Sequence, residues 1–107
     1  MPVYLYIIRN NQFHKLFGKI TEYYSADSKY LPNHCIFHEI SDDGLLRRKP
    51  YQVALKEGEI KNSCIWFKEQ NDSLAKEKLI EYERIRIEEL KRKIKQLELD
   101  IVTIEAY

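Results

Sequence analysis

The stretch DSLAKEKLIEYERIRIEELKRKIKQLELDIVTI, residues 72–104, decides the fold. It contains no Gly and no Pro, and as one helix it is long enough to span about 45 Å. Ile80, Ile87, Ile94 and Ile101 recur every seven residues, and Leu90, Leu97 and Ile104 follow the last three of them by three. That is a heptad with isoleucine at a and leucine at d, the combination that suits two parallel helices. The pattern is clean only after Tyr82. One turn earlier the d slots hold Lys76 and Glu83, while Ala75, Leu79 and Tyr82 form a second stripe at ordinary helical spacing. The stretch therefore predicts a helix in two parts. Its first half lies on a sheet, and its second half either continues over that sheet or projects to meet a partner helix, with Ile87, Leu90, Ile94, Leu97 and Ile101 as the dimer seam. Asp72 or Ser73 is the expected N-cap. Glu88 with Arg92 and Glu89 with Lys93 stand one turn apart in the favourable order. Flanking the seam of a parallel pair, Lys93 meets Glu98 of the other helix, but Arg86 meets Lys91 and Asp100 meets Glu105.

Outward from the helix, 107 residues make a single domain, with residues 1–70 as its β region. Apolar residues are 44% of the chain and charged ones 33%, yet the net charge is only +1. Ten basic residues stand against eight acidic ones before residue 71, and eight against nine after it. Neither half has the acidic excess of a DNA mimic or the basic excess of a phosphate-tracking protein. No apolar run reaches the ~18 residues of a membrane span, and Met1-Pro2 opens directly into a strand, so a cytoplasmic protein with reduced Cys35 and Cys64 is expected.

Before the helix the pattern is β. Val3 to Arg9 alternates and is dense in β-branched and aromatic residues, Asn10-Asn11-Gln12 turns, and Phe13 to Phe17 returns. Gly18 marks a bend before Ile20 to Tyr24, and residues 25–33 read as a loop. His34 to Ile40 is the next strand, closed by Asp42-Asp43-Gly44. Leu45 to Lys49 is ended by Pro50, Tyr51 to Leu55 pairs with Glu59 to Lys61 across Lys56-Glu57-Gly58, and Asn62-Ser63 leads into Cys64 to Lys68. The expectation is an α+β domain: a small curled antiparallel sheet of six or seven short strands, followed by one long C-terminal helix.

The sharpest chemical pattern is His34-Cys35-x-x-His38, with Cys64 and His14 elsewhere. Structural zinc takes four N or S ligands, and a Cys-x-x-His step is among the accepted spacings. On a regular strand, however, His34 and His38 share one face and Cys35 takes the other. The candidate set is His34, His38 and Cys64 with a fourth ligand, or Cys35 with His38 on a kinked strand; the alternative is core cysteines beside exposed histidines. Catalytic patterns are weaker still. His38-Glu39 is followed by Asp42 where a zincin requires a second His, and Cys64 has no activating neighbour in sequence. Arg47-Arg48-Lys49 and the helix cations Arg84, Arg86, Lys91 and Arg92 are candidate partner-binding residues. Tyr4, Tyr6, Tyr23, Tyr24, Tyr30, Tyr51 and Trp66 read as core, or as the aromatic anchors that protein interfaces favour.

The run from Cys64 to Glu83, leading into Ile87-Glu-Glu-Leu and Ile94-Lys-Gln-Leu, resembles the carboxyl half of small accessory proteins carried by phages and mobile elements of Gram-positive bacteria. Several of those pair a short β region with a terminal long helix, and some are anti-CRISPR proteins that block the type II effector nuclease. The resemblance covers about the last forty residues and transfers no functional residue. It implies a non-enzymatic inhibitor, and the near-neutral charge implies one that binds a protein surface of the nuclease and blocks target-DNA loading or a conformational step. Residue patterns alone support two further classes: a homodimeric nucleic-acid-binding regulator and, more weakly, a small metalloenzyme.

Overall fold

The computed structural model describes residues 2–29 and 32–107; Met1, and Tyr30 and Leu31 of the expected loop, lie outside the described residues. Five strands precede one helix: β1 (Pro2–Arg9), β2 (Gln12–Tyr24), β3 (His34–Ile40), β4 (Leu46–Ala54), β5 (Cys64–Phe67) and α1 (Asp72–Ala106). All pairings are antiparallel, in the order β4-β3-β2-β1-β5. The α+β class is as expected, with fewer and longer strands.

The difference has two local causes. Gly18 does not interrupt β2; the ladder runs through it, and the register slips further on, between Ile20 and Glu22. A Cβ at residue 18 would sit 2.3 Å from the His38 carbonyl oxygen and 2.4 Å from the Phe37 ring, so Gly is required there by the close approach of β3. Pro50 likewise stays inside β4, opposite His38. It is tolerated because β4 is an edge strand, with one row of amides unpaired in any case. Residues 59–61 form no strand, contributing only a bridge from Lys61 to Cys64 around the Asn62-Ser63 turn. Asn10 and Asn11 both take positive φ (53° and 61°), which matches a two-residue hairpin to the right-handed twist of β1 and β2.

Alternation along β1 and β5 sends side chains to both faces, and each face has its own core. Val3, Leu5, Ile20, Cys35, Phe37, Val53, Cys64 and Trp66 pack together on the face away from the helix. No helix covers them; the sheet curls until its opposite edges meet. The Trp66 indole N–H donates to the Ala54 carbonyl at 2.7 Å, and the Asn62 amide donates to the Gln52 carbonyl at 3.1 Å, both joining β4 to the β5 side. On the other face Tyr6, Ile65 and Phe67 receive Ala75 and Leu79 of α1.

The helix begins one residue before the predicted caps. Asn71 is the N-cap, its side-chain oxygen accepting the Leu74 amide at 3.2 Å. Asp72 instead bonds to the sheet, where its carboxylate accepts the Tyr6 hydroxyl at 2.7 Å and lies 3.4 Å from the Lys15 ammonium. The same Tyr6 oxygen accepts the Asn71 amide at 2.9 Å, so one buried phenol ties β1 to the first turn of α1. Lys78 adds a bond to the Gly58 carbonyl at 3.0 Å.

Candidate functional site: a projecting helical arm

After Glu83 the helix leaves the core. Every residue from Arg84 to Tyr107 is exposed, and the seam residues Ile87, Leu90, Ile94, Leu97 and Ile101 are between 49% and 56% exposed. The Ala75, Leu79, Tyr82 stripe explains where the helix leaves the sheet: Ala75 and Leu79 are buried, Tyr82 is half-buried, and the apolar side then rotates off the strands. Dimensions follow. The molecule measures 64 × 33 × 21 Å with a radius of gyration of 18.2 Å, against about 13 Å for a compact domain of this length.

At the root of the arm lies an apolar groove of about 520 Å³, walled on one side by Ile8 and Phe13 of the β1–β2 hairpin and on the other by Leu79, Ile80 and Ile87. Ile80 and Ile87 are a positions, so the groove continues the seam rather than lying apart from it. Lys76 stands over the Phe13 ring at 5.6 Å, and Arg86 over Tyr82 at 5.8 Å.

The surface charges of the arm are unevenly distributed. Arg84, Arg86, Lys91, Arg92, Lys93 and Lys95 face only Glu88 and Glu89 among residues 84–95, whereas Glu98, Asp100 and Glu105 are unopposed among residues 96–107. The second half therefore sets carboxylates at the negative end of the helix dipole, with no basic residue in the last turn. Within the arm, Lys91 reaches Glu88 at 3.4 Å and Arg86 reaches Glu83 at 3.5 Å; both are i,i+3 pairs, in place of the expected Glu88 to Arg92 spacing.

The other candidate residues fall in different places. Arg47, Arg48 and Lys49 are exposed on β4, where Arg47 pairs with Glu39 at 3.3 Å, while Arg84, Arg86, Lys91 and Arg92 are on the arm. Of the described tyrosines only Tyr6 is fully buried; Tyr23 is 65% exposed, and Trp66 lies in the core, which removes it as an interface anchor.

The zinc candidates divide between core and surface. Cys35 and Cys64 are buried in the curled core, where the Cys64 thiol donates to the Lys61 carbonyl at 2.9 Å and Cys35 approaches the Leu55 carbonyl at 3.6 Å. The His34 and His38 rings are half-buried against the Pro32 and Arg47 carbonyls, each at 2.8 Å. Among the described residues no group of three or more His, Cys, Asp or Glu side chains is placed to hold a metal ion. Burial pushes both thiols up, Cys64 to about 12, which disfavours the thiolate that a nucleophile requires.

Fold and arm together define a class: a small α+β head that holds out a long helix. No family model, curated protein or solved structure gives a match to the chain. No helix among the described residues is long and apolar enough to cross a membrane.

Proposed function

We propose that this protein is a non-enzymatic interaction module whose projecting helix is a docking surface for another macromolecule. The observation that carries this reading is the exposed seam: from Ile87 to Ile104, six apolar a and d residues stand half-exposed or more on one side of a helix that no other element among the described residues buries. Most helices in proteins depend on packing of such a face rather than on propensity. An arm kept apolar along one side over several turns is a surface built for burial. Hydrogen exchange and small-angle scattering on the dilute protein test the reading. Weak amide protection across residues 84–104 and an extended particle are expected; strong protection in a compact particle, with the arm folded back on the sheet, would remove it.

The most concrete form of the proposal is inhibition of a type II CRISPR effector nuclease, and its support is the resemblance of the run from Cys64 through the heptads. Target-DNA cleavage in excess protein is then expected to stop, and to resume with the Ile94→Asp variant. Undiminished cutting eliminates the nuclease as partner. The basic half of the arm favours a second reading, a nucleic-acid-binding regulator, through Arg84, Arg86, Lys91, Arg92, Lys93 and Lys95. An electrophoretic shift that fails even at low salt counts it out.

A further inference from the structure

We infer that the partner of the arm is a second copy of this chain, lying antiparallel, with the distal turns of each arm seated at the groove beside Ile8 and Phe13 of the other. The inference rests on the docking reading above and assigns its occupant.

Register comes from the apolar layers. Antiparallel helices set a positions against d positions. With the two-fold axis between Lys95 and Gln96, Ile94 meets Leu97 of the second copy, Leu90 meets Ile101, and Ile87 meets Ile104, so every layer from Ile87 to Ile104 is apolar on both sides. Glu83 stays outside these layers. In a parallel, in-register pair it would face its own copy at a d position.

Charge selects the orientation. In an antiparallel pair e positions flank e, and g positions flank g. Arg84 then faces Glu105 of the second copy, Lys91 faces Glu98, and Lys93 faces Asp100. The two-fold repeats each pair, so all six flanking charge contacts are attractive. Parallel pairing keeps only Lys93 with Glu98 and sets Arg86 against Lys91 and Asp100 against Glu105, four like-charge contacts against two favourable ones. Like charges across such a seam exclude wrong arrangements as firmly as opposite charges favour the right one.

The register is singled out in the same way. Sliding one heptad toward the heads puts Lys91 against Lys91 and Lys93 against Lys93; sliding one heptad outward puts Glu98 against Glu98 and Asp100 against Asp100. Only the central register has no like-charge contact. It also answers the dipole conflict of the lone arm, because each acidic second half comes to lie beside the basic first half of the other.

The groove fits the same register. Ile104 of the second copy lies over Ile87, and Tyr107 arrives between Arg84 and Arg86. The last turn of one arm thus reaches the apolar wall formed by Ile8, Phe13, Ile80 and Ile87, which continues the seam at its root.

Sedimentation equilibrium over a concentration series, with Trp66 fluorescence as a check on the head, tests the proposal through one residue. Lys91→Glu places Glu against Glu98 twice in the antiparallel pair and should weaken it roughly tenfold. In a parallel pair the same variant faces Arg86 and would tighten association. The exchanged variant Lys91→Glu/Glu98→Lys should restore the wild-type constant, and Lys91→Cys/Glu98→Cys should give an oxidised dimer joined by two disulfides. Tightening by Lys91→Glu, or failure of the exchange to restore, overturns the assignment. An extended monomer at every concentration also overturns it while leaving the docking reading in place, since that reading falls only if the arm packs on its own sheet.

Discussion

Tyr6 shows how much one side chain decides. Its ring is buried between Phe13 and Phe67, with centroids at 5.8 and 6.2 Å, while its hydroxyl donates to Asp72 and accepts from the Asn71 amide. Tyr6→Phe leaves the amide and the carboxylate without that partner and should cost about 1–3 kcal/mol in urea unfolding. A loss under a few tenths would mean that the bonds do not hold the helix start. The pH profile follows from the same group. Burial, and then the bond to Asp72, raise the Tyr6 hydroxyl to about 12 from 10.0, and burial raises Cys64 to about 12 from 9.0. Both hold their protons more tightly folded than unfolded. Their contribution is whole below the unfolded values and is lost as pH rises toward 12, so the melting temperature should fall across pH 9–12. Asp72 has the opposite sign: the Tyr6 bond, foremost, holds its carboxyl below 3.8, and its contribution is lost as pH falls through that range. Thiol titration belongs with this: Cys35 and Cys64 should be inert to a disulfide reagent at pH 8 until the chain unfolds. Little of this was legible in sequence, where Tyr6 reads as one tyrosine among eight. Its partners lie 65 and 66 positions away, and only the β1–β5 pairing brings them to it.

Among the elements, β2 and β4 carry the tension of the fold. A sheet with the order β4-β3-β2-β1-β5 leaves two edges, and this one curls so that the edges cap the inner core between them. Gly18 permits the curl and Trp66 fastens it. Gly18→Ala would drive a Cβ into the His38 carbonyl and the Phe37 ring, at an expected cost of about 2–3 kcal/mol in thermal or urea melts. A neutral result would show that β3 can retreat. Trp66→Phe removes the N–H that Ala54 accepts, leaves a buried carbonyl unpaired, and should cost about 1–3 kcal/mol by the same assay. Strand positions and turns were readable because period-two alternation and the Asn-Asn, Asp-Gly and Asn-Ser signals are local. Strand continuity was not: Gly18 and Pro50 are breakers by local chemistry, and they are tolerated only because β3 crosses close to one and the sheet ends at the other.

The whole molecule is a head and an arm that share only the first turns of one helix. The last buried residue in the chain is Leu79, so the head owes the arm no core contact. A chain ending at Glu83 should therefore melt within about 5 °C of the full protein when followed by Trp66 fluorescence. A much larger drop would place the arm inside the cooperative unit. Full-length protein, in contrast, should lose much of its helical signal from residues 84–106 on dilution if the arm depends on a partner, because most helical stability comes from packing of an apolar face rather than from propensity.

The amino-acid sequence by itself determined the α+β class, the turns, the helix from the low seventies onward and the heptad along it, because each depends on a period or a propensity within a few residues. Tertiary structure alone decided where the helix parts from the sheet, that the two cysteines turn inward while the neighbouring histidines face backbone carbonyls, and that the seam stands open beside a groove. The reason is geometric. An apolar stripe names a face to be covered, but whether the chain's own sheet reaches that face depends on the curl, and the curl is set by contacts between residues far apart in the chain.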